Sequence, residues 1–133
     1  MGACYSVLCK LKFKDEGMVK EAEKLMLDNY REDLKEGVGF CLSKYDFAKP
    51  ETVEQFLELY LASHQRNYTS DRQVQKNGKI VYEADSGFDA SYGWHRVILT
   101  FFESIAGCLE NGSYLKIDDD DVVTYRIKDG KVI

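Results

Sequence analysis

The segment EADSGFDASYGWHR, residues 83–96, gathers Asp85, Asp89, Ser91, Tyr92, His95 and Arg96 into one stretch. An aspartate and a histidine on either side of a helix start could form an acid/base pair, and an arginine there could meet an anion. Asp85, Asp89, Tyr92, His95 and Arg96 are therefore the candidate pocket residues of a small-molecule-binding or enzymatic domain built on an 85–96 loop. The spacing matches no hydrolase, phosphate-loop or metal template, and Gly87 and Gly93 do not make a G-x-G-x-x-G run. In a plainer account, Asp89 and Ser91 shape and cap a turn while Tyr92 and Trp94 fasten it to the core.

The second stretch is Asp118-Asp119-Asp120-Asp121. Like charges crowded on one turn cost some stability, perceptible even when solvated, so the turn is not optimised for folding alone. These four aspartates are the candidate partner-binding residues; the plainer account is a solvated turn near the Lys10, Lys12 and Lys14 face. An EF-type calcium loop is excluded because Val123 holds the sixth position, where glycine is needed. Zinc would require His64, His95 and carboxylates from three segments, because no cysteine pair supplies half a site. The expectation is no metal and no cofactor.

The chain opens MGACYS, which fits the M-G-x-x-x-S pattern for acylation of Gly2. The following residues argue for a strand instead. Tyr5, Val7, Cys9, Leu11 and Phe13 alternate with Ser6, Lys10, Lys12 and Lys14, which ties the N-terminus into a sheet.

A length of 133 residues fits a single globular domain spanning 1–133. The formal charge of −5 disfavours direct contact with nucleic acid or an anionic membrane and favours a protein partner with a basic surface. No apolar run approaches the ~20 residues that cross a bilayer. Cys4, Cys9, Cys41 and Cys108 form no C-x-x-C pair, which suits reduced thiols and a cytoplasmic location.

The elements that must position these residues follow from periodicity. After β-type alternation to residue 14, Asp15 suits an N-cap, and Met18, Val19, Ala22, Leu25, Met26 and Tyr30 recur at helical spacing to about Leu34. VGFCLSKY, residues 38–45, has strand composition. Pro50 suits the first turn of a helix striped by Val53, Phe56, Leu57, Tyr60, Leu61 and His64. Asn77-Gly78 predicts a two-residue hairpin with a strand over 79–84 and a weak partner before it. Trp94, Val97, Ile98, Phe101, Phe102, Ile105, Cys108 and Leu109 predict a central core helix capped by Ser91 and ended by Asn111-Gly112. Strands over 113–118, 122–128 and 131–133 complete the chain. The expected class is α+β, an antiparallel-rich sheet with about three helices on one face and a C-terminal three-stranded meander.

The run FDASYGWHRVILTFFESIAGCLENGSYLKIDDDDVVTYRIKDGKV, about the last third of the chain, resembles the end of small uncharacterised α+β proteins of anaerobic gut bacteria and their phages. An aromatic turn, an amphipathic helix, NGSYL, an acidic turn and KDGKV carry the resemblance. It implies a bacterial or phage source and a cytoplasmic protein, and it brings no catalytic residue. Together with the acidic charge it frames the leading expectation: a non-enzymatic protein-interaction module, in its most concrete form a phage or mobile-element inhibitor of a host nucleic-acid-binding protein.

Overall fold

A computed structural model describes residues 2–36, 50–62 and 67–133. The expected strand at 38–45, its Cys41, and His64 lie outside the described residues. Strand β1 (Gly2–Phe13) leads into helix α1 (Glu16–Lys35). Helix α2 (Val53–Ala62), strands β2 (Asn67–Val74) and β3 (Ile80–Ser91), and helix α3 (Trp94–Ser104) follow. A 3-10 turn (Ala106–Cys108) precedes β4 (Tyr114–Asp118), β5 (Val122–Lys128) and β6 (Lys131–Val132). The strands form one antiparallel sheet in the order β2-β3-β1-β4-β5-β6. The architecture is α+β, and its last three strands are neighbours as a meander.

The alternation of β1 decides which face is covered. Tyr5, Val7, Cys9, Leu11 and Phe13 are buried, while Cys4, Leu8 and Lys14 are exposed. The buried side chains meet Val19, Ala22 and Met26 of α1, Val53, Phe56, Leu57, Tyr60 and Leu61 of α2, and Trp94, Ile98, Phe101 and Phe102 of α3. These apolar stripes at 3.6-residue spacing supply the burial that short helices need in order to stay folded. The Tyr60 and Phe101 rings stack at 4.3 Å, and the Trp94 indole N–H donates to the Tyr60 carbonyl at 3.0 Å. Cys4, Cys9 and Cys108 are free thiols.

Helix starts follow local chemistry. The Asp15 carboxylate accepts from the Met18 amide at 2.9 Å, as an N-cap should. Helix α2 begins later than Pro50 suggests. Thr52 and Gln55 form a capping box, each side chain accepting from the other's backbone N–H at 3.2 and 3.1 Å, so Pro50 precedes the helix instead of opening it.

Three further expectations change. Helix α3 has Gly93 at its cap position with no side-chain cap, so Ser91 does not cap it. It ends at Ser104, before Asn111-Gly112, because Gly107 weakens a helix by about 1 kcal/mol and the chain tightens to a 3-10 turn that still buries Cys108 and Leu109. The Asn77-Gly78 hairpin has a three-residue loop. The Gly78 amide donates to the Gln75 carbonyl, the Gln75 amide donates to the Lys79 carbonyl, and Gly78 takes φ +84°, a type I turn closed by a glycine bulge.

Candidate functional site

Strand β3 runs to Ser91, well past residue 84, so most of the expected 85–96 loop is a strand paired along its whole length with β1. The inward alternation of Tyr82, Ala84 and Phe88 continues through Ser86. That serine is buried because its hydroxyl donates to the Leu61 carbonyl at the end of α2. Asp85 and Asp89 consequently project from the opposite, open face, across from Leu8 and Cys4. Tyr92 is 54% exposed, and Arg96 is exposed in the first turn of α3.

His95 does not pair with Asp89. Its Nδ1 lies 3.2 Å from Asp119 Oδ2 and its Nε2 lies 2.8 Å from the Tyr125 hydroxyl. Burial raises the Asp119 carboxyl, but hydrogen bonds from His95 and the Asp121 amide outweigh it and hold the group below its ordinary range. An ionised carboxylate only accepts, so Nδ1 carries the proton; in the neutral ring Nε2 then accepts from the Tyr125 hydroxyl. Burial, with Glu103 and Asp119 nearby, raises the Tyr125 phenol, which stays protonated at neutral pH. The proton that Nε2 is placed to accept is the Tyr125 hydroxyl's, which that phenol keeps at neutral pH, and the trio clasps the β4–β5 turn to α3.

That clasp joins the two stretches that stood apart in the sequence. The turn's remaining carboxylates, Asp118, Asp120 and Asp121, are exposed, and among the described residues none makes an ion pair. Asp118 is paired across the ladder with Ser6, two residues along β1 from Cys4 and its partner Asp89. The expected closeness to the lysine face is corrected by register. Lys10 pairs with Tyr114, and at ~3.3 Å per residue about 13 Å of β1 separates it from the Asp118 row. Asp89 and the Asp118–Asp121 turn therefore lie toward one end of the β1 ladder, and Lys10, Lys12, Lys14 and Lys79 toward the other, where Lys10 meets Glu83 and Lys79 meets Glu110.

Two polar features escaped the sequence reading. On α1, Asn29 and Asp33 meet the Tyr60 hydroxyl, which donates to Asp33 Oδ2 at 2.5 Å. Burial raises both Asp33 and Tyr60, which is a packing role with no open access. The signal was available, because residues 26, 29 and 33 share one helical face. On the open sheet face a depression of about 310 Å³ is bordered by Leu8, Thr69, Asp71, Glu83, Asp85 and Tyr114. Asp85 is the one expected pocket residue on its rim. No group of histidine, cysteine and carboxylate side chains among the described residues could hold a metal ion.

No family model, curated protein or solved structure matches this chain. No helix among the described residues is long and apolar enough to cross a membrane. The functional reading therefore rests on the geometry of the acidic end.

Proposed function

We propose that this chain is a non-enzymatic interaction module whose acidic end, formed by Asp118, Asp120 and Asp121 with Asp89 beside them, engages a basic surface of a protein partner in the cytoplasm. The supporting observation is a division of labour within the turn. Asp119 accepts a hydrogen bond from His95 and fixes the backbone, while its three neighbours stay exposed and make no ion pair among the described residues. A fixed ridge of carboxylates offers negative charge without ordering cost at binding, and such charge can occupy a groove shaped for phosphates. In its most specific form, the reading makes the chain a phage or mobile-element inhibitor of a host nucleic-acid-binding protein.

A second reading, ligand binding or catalysis in the 85–96 segment, has one observation in its favour: Asp85 borders the depression on the open face. Asp89, Tyr92, His95 and Arg96 do not line it, and His95 is engaged elsewhere. The two readings separate in one experiment, affinity capture from host lysate with the parent chain and the Asp118→Asn/Asp120→Asn/Asp121→Asn variant as paired baits. The first expects a basic protein retained by the parent, lost by the variant and displaced by duplex nucleic acid. Equal retention by both baits would defeat it.

A further inference from the structure

Among the described residues the sheet ends in two unlike strands. Strand β6 is two residues long, a length that offers little to a neighbouring chain, whereas β2 is eight residues with neither proline nor glycine. Residues 69–74 of β2 are exposed on both faces, Val74 at 60%, and among the described residues β3 is its one strand neighbour. A long, regular strand held by so little burial is a template for another strand.

Which backbone groups face that edge follows from the hairpin. Gln75 and Lys79 form the closing hydrogen-bonded pair, at 2.8 Å, and the register continues Val74 opposite Ile80. Hydrogen-bonded and non-hydrogen-bonded pairs alternate in an antiparallel ladder. Gln73, Asp71 and Thr69 therefore turn their N–H and C=O groups toward β3, while Tyr68, Ser70 and Arg72 turn theirs outward.

We infer that β2 pairs with β2 of a second copy, antiparallel about a two-fold axis through Ser70, joining two sheets into one. An axis perpendicular to the sheet keeps the helix-covered faces together, so each residue must oppose one on its own face. An axis at Asp71 would oppose two carboxylates, and one at Arg72 two guanidiniums. Centring on Ser70 instead sets Thr69 opposite the partner's Asp71, Asn67 opposite the partner's Gln73, and Tyr68 opposite the partner's Arg72. On the open face those are hydroxyl to carboxylate and amide to amide, favourable cross-strand pairs, while on the covered face Tyr68 packs against its own core and brings no like charge opposite Arg72. The outward groups of Tyr68, Ser70 and Arg72 all find partners. Arg72 is already held in position, its Nε donating to the Tyr82 hydroxyl and its terminal nitrogen pairing with Glu16, both at 3.0 Å. One pair of strands buries less than the ~800 Å² per partner of a standard interface, so the dimer is weak and concentration-dependent.

Sedimentation velocity of the full chain over a wide concentration range tests this. The parent should rise from the 15.3 kDa monomer toward twice that mass. Ser70→Pro removes one outward N–H and no bond to β3, and Ser70→Lys sets two ammonium groups across the axis; both should remain monomeric with parental circular dichroism. If the proline variant loses its fold, the lysine variant decides alone. A parent that stays at 15.3 kDa throughout, or a Ser70→Lys variant that associates as the parent does, overturns the inference, whatever else binds the edge.

Discussion

Asp119 and its neighbours are alike in sequence and opposite in role, because only Asp119 reaches a histidine. Its carboxyl titrates below the ordinary range in the folded chain, so its contribution is present above the unfolded carboxylate pKa and is lost as pH falls through the lower folded value. Asp119→Asn should then cost about 1 kcal/mol at neutral pH, the scale of one exchanged hydrogen bond, and little in strong acid. Urea unfolding of parent and variant at both pH values measures it; an equal cost at both would remove the charge from the explanation. Cys4 offers a second residue-scale test. Its thiol is exposed, yet the Asp89 carboxylate, hydrogen bonded to it and negative, raises its pKa. Asp89→Asn should therefore speed alkylation of Cys4 at neutral pH, with Cys4→Ser identifying the Cys4 phase. Buried Cys9, pushed up to about 12, stays silent until unfolding.

Among the elements, α3 links core and site: its inner face fills the centre of the molecule while His95 in its first turn reaches the acidic turn. Phe101 is 2% exposed and stacks on Tyr60, so Phe101→Ala should destabilise by about 3–5 kcal/mol, a large part of the roughly 5–15 kcal/mol available to a domain. A melting temperature within a few degrees of the parent would show that α3 is not central. The stripes of α1, α2 and α3 and the alternation of β1 were legible because one covered face writes a clean period into the sequence. The far half of β3 was not, because Asp85, Ser86, Gly87 and Asp89 have turn-like composition. Ser86 is inward through a hydrogen bond to Leu61, a long-range fact without local signature. The site was half legible for the same reason: His95 and the aspartates stood out as residue types, but their pairing depends on β4 lying beside β1.

At the scale of the whole molecule, strand register sets the acidic turn apart from the lysines of β1. The N-terminal end of β1 meets the ends of β3 and β4 that carry Asp89 and Asp118, while the lysines of β1 lie toward its other end. The proposed docking of a basic partner at the acidic end implies electrostatically accelerated encounter for this chain of net charge −5, an effect that salt screens beyond ~8 Å at physiological ionic strength. The most direct measurement is the association rate of the captured partner with the parent and with Asp118→Asn/Asp120→Asn/Asp121→Asn, at low and moderate salt. Asparagine keeps turn propensity, and Asp119 remains to hold the backbone, so the variant should fold as the parent does. If the acidic end steers encounter, the parent associates faster at low salt and slows steeply as salt rises, while the variant is slower and nearly independent of salt. Equal rates and equal salt slopes for the two proteins would rule out steering by this turn and leave the three aspartates as a solvated turn.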